Sequence, residues 1–315
     1  GWMGILFAVL MIITFGFAYN SVQSNTICLA WQKAFGIEPA TMGIVLTALT
    51  LLIIFGGIHR VAKFSSTVVP VMAVVYLLVA VGVVIWNITC LPKVLITIVE
   101  NAFGFNQAAG GVLGITVIQG IKRGLFSNEA GEGSAPNAAA VATVSHPVKQ
   151  GLIQALGVFT DTLVVCSCTA FIILVSGVDV TASNGIQLTQ DALTHEIGSI
   201  GNPFVAVMIW LFAFSSIIGN YYYGETNVRY IKDSKLGVFV YRLAVAAMVM
   251  TGAVVSLDFA WSFADITMAL LTLCNLVAIV LLSRQAVFLL QDYRQQKKDG
   301  RNPVFCKDKM PEIAD

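Results

Sequence analysis

Glu129 and Glu132 stand in the run Ser127-Asn-Glu-Ala-Gly-Glu-Gly-Ser-Ala-Pro136, inside a stretch otherwise suited to a membrane helix. Two glycines flank Glu132 and a proline closes the run, a combination that unwinds a helix. Irregular backbone at membrane depth survives only where protein or a water-filled cavity satisfies its N–H and C=O groups. The residues therefore predict a crossing unwound over 127–136, with two half-helices whose ends meet near the midplane. A half-helix N-terminus offers free N–H groups and a positive dipole end to an anion such as a carboxylate. Unwound carbonyls and a half-helix C-terminus suit a cation such as Na⁺, the site design of secondary transporters. The plainer alternatives are a re-entrant loop, or a kink with no ligand.

Five ionisable groups fall at membrane depth: Lys122, Arg123, Glu129, Glu132 and Asp161. Each costs at least about 2.5 kcal/mol if alone at the centre of a lipid-exposed helix. They must pair or face water, and Asp161 serves either function or as a partner of Arg123 or Lys122. Gln23 and Thr26 are three apart and share a face, with Tyr19 and Asn20 one turn earlier. That stripe either makes interhelical hydrogen bonds or lines a polar pocket. Ser215 and Ser216 are hard oxygen ligands suited to Na⁺, unless they bond back to their own helix. Asn220 lies one turn further on.

Other residues receive structural roles. Gly120 with Gly124, and Gly110 with Gly114, form small-xxx-small pairs for close helix packing. Tyr221–Tyr223 suit an aromatic belt at the membrane interface. His59, His146 and His195 are isolated and make no metal site. The six cysteines lack zinc or disulfide spacing, and no nucleophile–base arrangement supports an enzyme.

The elements that carry these residues follow from composition. Of 315 residues, 57% are hydrophobic and 11% charged; mean hydropathy is +0.83. A soluble domain is nearer 25% charged, so an all-α integral membrane protein is expected. The net charge of +1 points to no nucleic acid or acidic partner. Eight crossings of about 20 apolar residues are expected, at about 1–33, 41–57, 65–91, 112–142, 148–176, 203–222, 237–256 and 266–283. With the C-terminus cytoplasmic, the inner segments hold Arg60, Lys63, Lys149, Arg229, Lys232, Lys235, Arg242 and the seven basic residues of the tail. Lys33 and Lys93 lie outside. This obeys the positive-inside rule. The chain opens on Gly1 with an apolar run already at Trp2, and no basic segment or cleavage site precedes it. It is expected to be an N-terminally truncated fragment.

The stretch Arg123-Gly-Leu-Phe-Ser-Asn-Glu-Ala-Gly-Glu-Gly-Ser-Ala-Pro136, followed by His146-Pro-Val and Phe159-Thr-Asp-Thr162, resembles the alanine/glycine:sodium symporter family. So do Phe212-Ala-Phe, Tyr223-Gly-Glu225 and Asn20-Ser-Val-Gln-Ser-Asn25. The likeness extends from Gly1 to about Gln291. It implies a LeuT-type bundle of inverted repeats in which the eight crossings match core helices three to ten, the first two being absent. Most members have an unwound first helix that serves substrate and Na⁺; those residues have no counterpart here. The resemblance implies that Phe126, Ser127, Asn128 and Glu129 line an amino-acid pocket with Gln23 and Thr26. It sets Ser215 and Ser216 near ion and substrate, and Asn220 where some members carry Trp. Glu132 departs from the family, which often has Met there, and adds a charge beside the site.

The function implied is sodium-coupled symport of a small neutral amino acid, alanine or glycine, by alternating access. It needs no organic cofactor, with Na⁺ as coupling ion. Its setting is the cell membrane of a prokaryote, with residues 1–291 as transporter domain and 292–315 as a cytoplasmic tail. The rival readings are a non-transporting or partner-dependent remnant, and a passive channel.

Overall fold

The computed structural model describes residues 1–56, 58–103 and 110–306, with backbone alone for 58–66, 68 and 110–116. Every described element is a helix. In chain order they are α1 (Trp2–Phe35), α2 (Pro39–Ile54), α3 (Ile58–Trp86), α4 (Leu91–Ala102), α5 (Gly110–Asn128) and α6 (Ala135–Ala139). There follow α7 (Pro147–Ser176), α8 (Ile186–Ile197), α9 (Gly201–Ile231), α10 (Lys235–Val254) and α11 (Leu257–Lys298).

Among the described residues six stretches are long and apolar enough to cross a membrane: α1, Val69–Trp86 of α3, α7, Ile186–Ile231, α10 and α11. The chain is thus a multi-pass helical membrane protein. Two of the eight expected crossings are not among the six. Helix α2 is apolar but has 16 residues. The expected crossing 112–142 is α5, a turn and the short α6. The expected 203–222 and 266–283 are too short, because α9 and α11 run on through charged residues that find partners within the protein. α11 also runs unbroken through position 291.

Helix α1 is the centre of the bundle and packs against α2, α9, α10 and α11. Met11, Phe15, Ala18, Tyr19 and Val22 meet Ala260, Ala264, Met268 and Leu271 of α11 in one buried cluster. A π-helical segment, Ile12–Tyr19, interrupts α1. Asn20 Nδ2 donates to the Gly16 carbonyl at 3.0 Å there.

Ser24 and Asn25, beside the polar stripe on α1, serve packing. Ser24 Oγ donates to Val249 O at 2.6 Å, and Asn25 Nδ2 to Gly252 O and Val255 O at 3.1 and 2.7 Å. These bonds need α1 and α10 to touch backbone to backbone. A Cβ on Gly252 would stand 2.5 Å from Ser21 Cα. Gly252→Ala is therefore expected to push the helices apart and cost about 1–3 kcal/mol. Thermal unfolding in detergent checks this; an unchanged melting temperature would refute the close contact.

Contacts between connections group the helix ends. Lys33, ending α1, pairs with Asp191 of α8 at 2.6 Å. Gln190 Nε2 donates to Ala30 O at 3.0 Å. In the neighbouring loop the Thr181 hydroxyl and amide hold the Asp179 carboxyl below the usual range. At the other grouping, Phe305 N donates to Ser145 O at 2.8 Å and Lys149 Nζ to Asn302 Oδ1 at 2.7 Å. His146 is buried there between Tyr293 and Phe305, with Nε2 3.3 Å from Asp292. Lys33 and the 177–202 segment share one end, as the layout requires, and 143–149 shares an end with the tail.

Candidate functional site

The interruption is real but shorter than expected. Phe126, Ser127 and Asn128 are still helical, and the irregular backbone spans 129–134. Glu129 stops α5 by entering the left-handed region at φ +48°, and Gly131 and Gly133 follow at +78° each. Glu129 is the one non-glycine residue with positive φ among the described residues. Such strain is held only where the surroundings enforce it, as they often do at functional sites. The glycines take their positive φ without a Cβ penalty.

The second half-helix differs from expectation. α6 has five residues, too few for a strong dipole. The amides of Glu129, Ala130 and Glu132 are used within the turn, bonding to Phe126 O, Leu125 O and Glu129 O. Side chains from three other helices brace it. Asn275 Nδ2 of α11 donates to Gly131 O at 2.8 Å. Asn227 of α9 donates to Asn137 Oδ1 at 3.1 Å, and Asn137 donates back to Gly133 O at 3.1 Å. Tyr19 Oη of α1 donates to Glu132 Oε1 at 2.7 Å. Ser134 donates to Glu129 Oε2.

Phe126 lies edge-on to Tyr19 with centroids 4.7 Å apart, and 4.8 Å from the Trp261 ring. Arg123 stands over the Trp261 ring, 4.2 Å from its centroid. It grips Asp265 with two bonds of 2.6 and 2.8 Å from Nη2. Lys122 adds a contact of 3.4 Å. The partner of both cations is therefore Asp265 and not Asp161. Helix α11 begins at Leu257, which carries Asp265 two turns inside a helix expected to start at 266. That boundary concealed it.

Ser127 and Asn128 turn away from Phe126 and Glu129 toward α7. Ser127 Oγ donates to Asp161 Oδ2 at 2.7 Å, and Thr162 Oγ1 donates to Asn128 Oδ1 at 2.6 Å. Both partners begin a π-helical segment, Asp161–Cys166. The four residues Phe126–Asn128 and Glu129 therefore serve two faces of one helix end, as successive helical positions about 100° apart must.

The remaining predicted residues are scattered over α1 and α9. Gln23 is half-buried on α1 and has no hydrogen bond among the described residues. Thr26 bonds back to Val22 O at 2.8 Å. Ser215 and Ser216 both donate to Phe212 O, at 2.8 and 3.1 Å, the local bonding that was the plainer alternative. Asn220 Nδ2 donates to Asn20 Oδ1 at 3.2 Å, joining α9 to α1.

Other expectations need correction. A Cβ on Gly120 or Gly124 would meet nothing within 4 Å, so this pair makes no close helix contact among the described residues. Gly110, Gly114 and His59 lie where only backbone is described. Tyr221 is buried and bonds to Glu225, and Tyr223 packs edge-on to Phe15 at 5.2 Å. They are interior residues because α9 continues nine residues past the expected end of its crossing. No group of His, Cys, Asp and Glu fit for a metal occurs among the described residues.

Sequence reasoning missed Trp261, Asp265, Asn227 and Asn275. An Asp one residue outside an apolar window, with unpaired Lys-Arg elsewhere at depth, was the available signal for Asp265. Asn227 and Asn275 lay in helices whose pairing only the fold defines.

A helical membrane protein with an interrupted helix braced by three neighbours, and two carboxylates in the interruption, is built as secondary transporters are. The model of the sodium:alanine symporter family matches residues 1–307, and the chain belongs to that family of sodium-coupled transporters. It is 55% identical over 308 residues to the probable sodium/glutamine symporter GlnT of Bacillus subtilis, covering 98% of this chain and 64% of that protein. It is 52% identical to the amino-acid carrier protein AlsT of the same organism, with 98% and 66% covered. The sodium/alanine symporter AgcS of Methanococcus maripaludis is 34% identical, with 89% and 62% covered. The chain thus spans about two thirds of the length of these relatives.

Proposed function

We propose that this protein carries a small neutral amino acid into the cell together with Na⁺ by alternating access. The observation that carries the reading is the strained 129–134 turn. It fixes Glu129 three residues along from Phe126, whose ring packs on those of Tyr19 and Trp261, in a member of the sodium:alanine symporter family. Glu129 would meet the substrate ammonium, with Gln23 and Thr26 on α1 completing its polar surroundings. Phe126 would close over the side chain and limit its size. Ser127 and Asn128 would shape the α7 side, and Asn220 the α9 side.

Ser215 and Ser216 give their protons to Phe212 O, which leaves oxygen lone pairs for a cation. That suits them to Na⁺. The bundle would be LeuT-type, seated in the cytoplasmic membrane of a prokaryotic cell. Residues 1–291 would form the transporter domain, and 292–315 a tail on the cytoplasmic side. The basic residues near that end support this orientation.

Alanine and glycine are the substrates the resemblance implies. Glutamine is a second reading, favoured by the relative with 55% identity whose name carries it. The test is uptake of labelled alanine into proteoliposomes under an inward Na⁺ gradient, with unlabelled glycine and glutamine as competitors. Saturable, sodium-dependent uptake is expected, and the strongest competitor identifies the substrate. Current without saturable uptake would favour a channel and overturn the symport reading.

A further inference from the structure

Glu132 has no part in the mechanism above, and its surroundings demand a positive charge that the protein does not supply. Its side chain is 0% exposed. Oε1 accepts from Tyr19 Oη at 2.7 Å, and Oε2 has no hydrogen-bond partner among the described residues. The groups around it offer no compensation. Glu129, on the same turn, is a second carboxylate. Tyr19 of α1 is a neutral donor, and Tyr223 of α9 packs on Phe15. Arg123 and Lys122 of α5 are held by Asp265 of α11. A buried carboxylate without a counter-charge must gain one or neutralise. A proton on Oε2 supplies that neutralisation.

We infer that Glu132 is a proton-carrying residue of this transporter. Resting on the symport reading, the inference adds a second coupled ion. Glu132 takes a proton from water when the site opens to one side. It carries that proton on Oε2 while buried, and returns it to water on the other side. Tyr19 orients the carboxyl from α1, and the paired positive φ at Gly131 and Gly133 fixes the backbone on either side. A cavity of about 570 Å³ begins at Ala135, three residues along the chain, and is lined by Pro136, Ala139, Pro147, Gln150 and Gln154. Intramembrane acids without partners commonly serve as proton relays.

The test uses the native protein in proteoliposomes, with the Na⁺ gradient and the pH gradient imposed separately. For the wild type, an acid-outside pH gradient at equal Na⁺ should speed labelled amino-acid uptake several-fold, and an internal pH dye should report acidification. Glu132→Gln keeps the size and the acceptor for Tyr19. It should retain uptake driven by Na⁺ but lose both responses to the pH gradient. Equal responses in the variant, or none in the wild type, would overturn the inference while leaving sodium symport intact. Absence of sodium-driven uptake in the wild type would instead sink the symport reading. Should Glu132→Gln misfold, Tyr19→Phe tests the same point. Removing the donor to Oε1 frees the carboxyl from its fixed orientation, so the response of uptake to the pH gradient, taken relative to sodium-driven uptake, should change several-fold. An unchanged ratio would overturn the inference.

Discussion

Glu129→Gln is expected to abolish sodium-driven amino-acid uptake while leaving a folded protein in the membrane. Glutamine keeps the length of the side chain and an oxygen that accepts from Ser134, so the 129–134 turn retains its internal bond. The change removes the negative charge that the substrate ammonium would meet. Truncating one partner of a buried, hydrogen-bonded charge pair costs about 2–5 kcal/mol. That corresponds to roughly 30-fold to several-thousand-fold weaker binding. Uptake into proteoliposomes measures the loss, and size-exclusion chromatography in detergent confirms the fold. Wild-type uptake by the variant would remove Glu129 from the site.

Asp265→Asn is expected to give the largest loss of stability. The Asp265 carboxylate holds Arg123 through two hydrogen bonds and Lys122 through a further contact. Without it both cations remain at membrane depth with no counter-charge in that cluster. An uncompensated charge near the centre of a spanning helix costs roughly 2.5–3.5 kcal/mol. Removing one member of a buried pair costs about 3–5 kcal/mol. Arg123 is 38% exposed and Asp265 19%, which favours the lower figures. A loss of about 2.5 kcal/mol should appear as a clear drop in melting temperature in lipid nanodiscs. Arg123→Lys keeps the charge but loses the two-bond grip and the planar stack on Trp261; its loss should be smaller. Equal melting of Asp265→Asn and wild type would refute the ion-pair assignment.

Much of the site was legible in the residues. Two glycines, two glutamates and a proline within ten positions cannot continue a lipid-facing helix, and the chain does break there. Apolar runs located α1, α3, α7, α9, α10 and α11 because lipid exposure imposes a minimum length of hydrocarbon surface. Their ends were harder to read. Hydropathy reports contact with lipid, whereas a helix continues wherever its charged side chains find partners. Arg123, Glu225 and Asp265 all find them inside the bundle.

Direction of side chains around the break was not legible either. Phe126 to Glu129 read as one pocket wall, yet Phe126 meets α1 and α11 while Ser127 and Asn128 meet α7. Sequence spacing gives the angle between neighbours on a helix but not which helix stands at each angle. The polar residues of α1 show the same division: Ser24 and Asn25 seal the contact with α10, and Gln23 does not.

What the residues determined by themselves, then, was a membrane-spanning helical chain, its interruption near Glu129, and its likeness to a symporter family. These depend on local backbone chemistry and on the solvent the surface must match. The tertiary structure alone decided that Asp265 neutralises Arg123 and that Asn275 and Asn227 brace the turn. It also decided that Glu132 is buried with one oxygen unpaired. Each of these is set by which helices lie side by side, and burial turns that adjacency into an energetic demand.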